Sequence, residues 1–363
     1  MPPSRTHPDA AQLRSRHPLR SLGSTARNAA PGLLLCAVAV AVSLGVGMLL
    51  PTVSPLLIAI VFGIVLRNVA PLPALVEPGL TFAAKKLLRL GVALLGLQLV
   101  LGDILGLGAG MILVVVAIVG IGIVATLVIG RWLGIGFTQR LLIACGFSIC
   151  GAAAVAAVDG VVETKDEEEV VTAIALVVLF GTLMIPLVPL AVVALGLDEV
   201  RGGLWAGGSI HEVAQVVAAG GTIGGAALGL AVIVKLARVL MLAPVMAVIS
   251  VHRRRQLARE AALLDASGEP GAHVTIKRPP IIPLFVAGFI VMVLVRSVGW
   301  LPDPVLDIAK VTQAALLAAA MFALGTGVKF SMFRRVGFRP FALAGCSTLV
   351  VASVALAGVL LFG

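Results

Sequence analysis

About eleven apolar stretches follow one another along this chain, and several approach the roughly 20 residues that a helix needs to cross a bilayer core. They fall near residues 31–50, 55–70, 82–101, 106–129, 140–158, 170–195, 202–220, 226–251, 280–298, 305–328 and 341–362. Sixty per cent of the residues are hydrophobic, with a mean hydropathy of +1.13. Soluble domains hold about 45–50% apolar residues even with glycine counted, so a soluble fold is excluded. The expectation is an all-α membrane protein with about nine to eleven transmembrane segments. The 41 glycines suit a polytopic bundle, because small residues let helices approach closely. There is no tyrosine, so an interfacial aromatic belt falls to Trp132, Trp205, Trp300 and a few phenylalanines.

The net charge of +10 does not indicate a nucleic acid partner. The basic residues stand at the ends of apolar segments, as the positive-inside rule expects, and form no solvated patch. Residues 1–30 are rich in Arg, Ser, Pro and His and read as a disordered basic tail. Arg5, Arg14, Arg16, Arg20 and Arg27 place that tail in the cytoplasm. Residues 31–363 read as one transmembrane transporter domain, whose first apolar run is too long for a signal peptide and so is kept. The polar link 252–278, Lys85/Lys86/Arg89, Arg131/Arg140 and Lys329/Arg334/Arg335/Arg339 fall on the cytoplasmic side when segments alternate, with 102–105 and 301–304 outside. The acidic run 165–169 reads as a solvated helix start.

Two pieces of the chain repeat. Residues 55–130 can be laid on 283–363, and Gly146-Phe-Ser-Ile-Cys-Gly-Ala matches Gly207-Gly-Ser-Ile-His-Glu-Val. Related halves are the sequence sign of a secondary transporter. Counted as full crossings, the two Gly-x-Ser-Ile segments would run the same way; as opposed hairpins or broken helices, every repeated pair becomes inverted. Two broken or re-entrant helices, with tips near 147–151 and 207–211, are therefore expected.

A helix broken in mid-membrane presents free N–H groups and a positive dipole end, which favour an anion. Glycine permits the unwound backbone and serine can cap the new helix start. Gly146, Ser148 and Gly151, with Gly207, Gly208 and Ser209, supply that chemistry twice and are candidate substrate-binding residues; the alternative is that they only permit tight packing.

His211 and Glu212 stand where the first copy has Cys150 and Gly151. Glu212 is the acid placed near mid-depth of an apolar segment, a position that costs about 2.5–3.5 kcal/mol on insertion scales and is functional by default. Glu212 is the candidate coupling site. His211 is a candidate to carry the coupling proton or to bind substrate by donating to an oxyanion, and Gln215, which shares Glu212's helix face, is a further candidate substrate-binding residue. The alternative is a buried polar pair that only ties helices together. Lys235 and Arg238 lie on one face of an apolar segment, with Lys235 read as a countercharge to substrate or to Glu212 and otherwise as a snorkelling residue. Gln98 and Lys329 are weaker cavity candidates. Cys36, Cys145, Cys150 and Cys346 form no Cys-x-x-Cys pair and no metal or cofactor site, and read as small buried hydrophobes.

These motifs, with Leu90-Gly-Val-Ala-Leu-Leu-Gly96, resemble the YeiH-like family of bacterial membrane proteins, whose members are named sulfate exporters. The resemblance spans residues 31–363 and is most specific in Ser-Ile-His-Glu-Val-Ala-Gln. It implies a multi-pass inner-membrane transporter with an elevator-like scaffold and core, distantly similar to bile-acid symporters and cation–proton antiporters. The expected function is secondary transport of a small inorganic or organic anion, such as sulfate or an organosulfonate, coupled to a proton or Na⁺. Alternatives are a cation–proton antiporter using Glu212 and a non-transporting membrane sensor. A homodimer is an optional further partner. An enzyme is not expected, since Ser209 and His211, two apart, would not face each other on a regular helix. No P-loop is present for ATP-driven transport.

Overall fold

The computed structural model describes residues 18–49, 55–162, 164, 166–266, 284–327 and 337–363, and no strand occurs among them. The expectations for Lys329, for residues 1–17 and for the end of the polar link lie outside the described residues. Six described helices are long and apolar enough to cross a membrane. They belong to α1 (Pro18–Leu49), α6 (Gly108–Trp132), α9 (Glu167–Ala194), α12 (Gly225–Leu240) running on into α13 (Leu242–Ala266), α15 (Asp303–Gly325) and α16 (Phe338–Phe362).

The remaining apolar stretches are shorter helical pieces. They are α2 (Pro55–Val69), α3 (Glu77–Phe82), a π-helical turn Ala83–Leu87, α4 (Leu88–Leu95), a 3-10 turn Gly96–Gln98, α5 (Leu101–Gly106) and α14 (Leu284–Val298). The segment at 140–158 is divided into α7 (Phe137–Cys145), a π-helical turn Gly146–Cys150 and α8 (Ala152–Val162). The segment at 202–220 is divided into α10 (Glu199–Ser209) and α11 (Val213–Ile223). Both Gly-x-Ser-Ile segments are thus interrupted helices.

Two boundaries differ from the sequence reading. Helix α1 starts at Pro18, inside the stretch read as a disordered tail, and α13 extends to Ala266, inside the expected polar link. Ala, Arg and Leu, strong helix formers, recur in both extensions, with Gln256 in that of α13. The acidic run behaves as read: Asp166 caps α9, its Oδ1 accepting from the Glu168 N–H at 2.9 Å.

The helices form two lobes. Helices α1 to α4, α14 and α15 pack together, and α6 to α12 pack with α16. Glycine sets both contacts. Gly63 on α2 lies against the Phe322 carbonyl of α15, and Gly325 on α15 against that of Ile60. In the other lobe Gly203 and Gly207, one turn apart on α10, lie on the backbone of α12 at Ala227 and Ala231. A Cβ at any of these would meet backbone, so the close approach requires glycine. The lobes touch each other sparsely, and a cavity of about 760 Å³ lies between them.

Candidate functional site

The two interrupted helices cross inside the second lobe, and their broken ends are bonded to each other. The first break is Gly151, whose backbone has φ 75° and ψ −137°. That conformation is essentially restricted to glycine. The second is the extended stretch Ile210 to Glu212, with φ −77° at Ile210 and −117° at Glu212. Each break leaves a C-terminal half-end rich in unpaired carbonyls and an N-terminal half-end rich in unpaired N–H groups.

The carbonyl side is held by two side chains of α12. Lys235 Nζ donates to the carbonyls of Ile149 (2.8 Å), Ile210 (3.0 Å) and His211 (2.6 Å). Three acceptors require three N–H bonds, so the geometry describes an ammonium group. Arg238 donates through Nε to Ser148 O (3.1 Å), through Nη1 to Gly207 O (3.2 Å), Gly208 O (2.8 Å) and Ile210 O (2.9 Å), and through Nη2 to Phe147 O and Ser148 O (both 2.9 Å). Both side chains are fully buried. Cations are favoured at helix C-termini, and here two cations join two such ends. Neither is within ion-pair distance of Glu212; the single ion pair among the described residues is Arg201–Asp198. Lys235 was read as a countercharge to substrate or Glu212. In the structure its three hydrogen bonds go to backbone carbonyls and none to a carboxylate.

The N–H side is met by Glu212. Its Oε1 accepts from the Ala152 N–H that opens α8, at 3.1 Å, while Glu212 itself is the N-cap of α11. One carboxylate therefore sits at the positive ends of both second half-helices. Gln215, one turn on, accepts from the Glu212 N–H at 3.1 Å, which fixes the cap. Gly151 leaves the space for this carboxyl: a Cβ there would lie 2.8 Å from Glu212 Oε1. Gly151→Ala is expected to cost about 1–3 kcal/mol in backbone strain and to displace the carboxyl as well. Ligand-binding pH profiles of Gly151→Ala and of Gly110→Ala, a tight glycine contact on the Phe362 side chain, check the second part: only the Gly151 variant should change the pH dependence.

His211 is fully buried. Its Nδ1 donates to Phe147 O at 3.1 Å, since a carbonyl only accepts, and its Nε2 lies 3.0 Å from Thr348 Oγ1 on α16. The serines do not cap the new helix starts. Ser209 Oγ donates back to Trp205 O at 2.7 Å, and Ser148 Oγ is buried with no hydrogen-bond partner among the described residues. The breaks fall after the serines, so the caps pass to Gly151 and Glu212. Gly146 packs on Val155 and Val177, and Gly208 on Ala355.

Of the sequence candidates, Glu212 lines the cavity between the lobes, and so does Gln98. Gly146, Ser148, Gly151, Gly207, Gly208, Ser209, His211, Gln215 and Lys235 are not among the residues that line it. The opposite wall adds Gln313 and Lys310, both on α15, which the sequence reading did not single out. A glutamine just ahead of the alanine-rich run 314–320 of α15 was the signal available. Gln98 Nε2 donates to Gln313 Oε1, joining α4's end to α15. No cluster of three metal-ligating side chains occurs among the described residues.

A family model described as Conserved hypothetical protein 698 matches residues 31–344. A UPF0324 membrane protein of Corynebacterium glutamicum is 56% identical over 331 residues, covering 91% of this chain and 92% of its own length. A UPF0324 membrane protein of Bacillus cereus is 35% identical over 299 residues (82% and 84%), and one of Agrobacterium fabrum 33% identical over 308 (85% and 82%). No solved structure matches.

Proposed function

The chain belongs to the family described as Conserved hypothetical protein 698, a family of multi-pass membrane proteins, and from that membership we propose that it is a proton-coupled secondary carrier for a small anion, with Glu212 as the coupling site. The observation that carries the reading is the placement of one cavity-lining carboxylate at the N-termini of two half-helices, with two buried cations behind it. When Glu212 is ionised it occupies the positive dipole ends itself. When it takes a proton, the cavity wall loses a negative charge while Lys235, Arg238 and the helix ends stay. An anion entering the cavity is then favoured, and by linkage the bound anion favours the proton. Proton and anion thus bind together. Proton-driven accumulation of anion in proteoliposomes tests this, and competition between a cation and the proton at Glu212, without anion uptake, would replace it with cation–proton antiport.

The sparse contact between the lobes supports an elevator-like motion, in which the lobe carrying the crossed helices moves against α1 to α4, α14 and α15. The repeated segments are read as inverted halves of that design. The reading is non-enzymatic, since Ser209 is bonded to its own helix and His211 to Phe147 and Thr348. The N-terminus and the arginine cluster at 253–255 are assigned to the cytoplasm from the charge distribution. Arg254→Cys in a cysteine-free background should resist a membrane-impermeant thiol reagent added to intact cells; labelling there would invert the orientation.

A further inference from the structure

Resting on the carrier reading, we propose that the transported anion is an organic amphiphile, an anionic head on a short apolar body, rather than an inorganic oxyanion. The cavity between the lobes holds about 760 Å³, within the roughly 300–1,000 Å³ of organic ligand pockets. A tetrahedral inorganic anion, a few water volumes of roughly 30 Å³ each, fills little of it. The walls are mostly apolar: Val92 and Leu95 on α4, Val213 and Val217 on α11, Leu317 and Met321 on α15. An inorganic oxyanion would lose hydration wherever it met these walls, with no apolar body to gain from them. An alkyl body recovers free energy from the same surface.

The polar side chains are few, and apart from Glu212 and Thr222 on α11 they lie on one wall. Lys310, Gln313 and Gln98 line the first lobe's side. Lys310 and Gln313 are three apart on α15, so they share a face, and Gln313 is joined to Gln98. Lys310 is the cation among the residues lining the cavity. Lys310 and the free amide N–H bonds of the glutamine pair make a site for the head, opposite Glu212, and the body extends along the Leu, Val and Met surface.

The test is equilibrium binding of inorganic sulfate and of methane-, butane- and octanesulfonate to the purified protein in lipid nanodiscs, with empty nanodiscs subtracted, at one acidic and one basic pH. Affinity should rise by about fourfold for each methylene that is buried, and every member should bind more tightly at acidic pH. Lys310→Gln should weaken all alkanesulfonates by a similar factor and keep the chain-length slope. Ala314→Phe, and independently Ala218→Phe on the opposite wall, should spare methanesulfonate and remove the gain on lengthening. A flat series with acid-favoured sulfate binding overturns the amphiphile and leaves the carrier reading standing. A slope unchanged by both phenylalanine variants assigns the gain to lipid partitioning and also overturns it. Binding of all probes that is indifferent to pH overturns the coupling reading beneath.

Discussion

In proteoliposomes bearing an inward proton gradient, the Glu212→Gln variant should accumulate no anion above the level reached without a gradient, while still exchanging anion across the membrane. With one proton per anion, wild-type accumulation should approach about tenfold per pH unit, the factor that 1.4 kcal/mol represents. The variant should stay near unity at every gradient. Glutamine preserves the shape of the side chain and its amide oxygen still accepts from the Ala152 N–H, so the crossing keeps its cap. What is lost is the change of charge. Folded protein, measured by monodisperse elution, should match wild type. If instead Glu212 only ties α8 to α11, accumulation per folded molecule will be unchanged.

The second large effect is on stability. Arg238→Met should remove most of the folded protein, and Lys235→Met should be severe but milder. The difference follows from which carbonyls keep a donor. Ile210 O is shared by both cations and Phe147 O also accepts from His211, so losing Arg238 orphans Ser148, Gly207 and Gly208, and losing Lys235 orphans Ile149 and His211. Each orphaned buried acceptor costs about 1–3 kcal/mol, and total losses above roughly 4–5 kcal/mol are exceptional for one substitution. Arg238→Lys, with the charge kept but three donors in place of five, should be intermediate. Melting temperature in lipid nanodiscs orders the variants. Should Lys235→Met melt like wild type and lose anion binding, Lys235 is a substrate ligand and the carbonyl stitch is wrong.

The apolar segmentation was legible because a bilayer imposes a length on every crossing helix, and the duplicated Gly-x-Ser-Ile motif pointed to two interruptions. Their placement within the motif was less legible. Serine looked like the cap, yet the backbone turns at Gly151 and at Ile210 to Glu212. Only a glycine tolerates the first turn, and a glutamate caps the second. The buried cations showed as anomalies in an apolar helix, but their partners are main-chain carbonyls, which leave no mark on a sequence. The cavity's far wall comes from Gln98 and from Lys310 and Gln313, more than 200 positions later in the chain, and that juxtaposition arises only when α4 and α15 pack.

The most direct test of Glu212 as the coupling site is a proton count on binding. Anion is added to weakly buffered protein in nanodiscs across a range of pH, and proton uptake is read with an indicator dye. Wild-type protein should take up as much as one proton per anion bound, most strongly at pH values where Glu212 is ionised before the anion arrives, and Glu212→Gln should bind anion with no uptake. Equal uptake by the two proteins, or binding by wild type without uptake at any pH, would contradict the account.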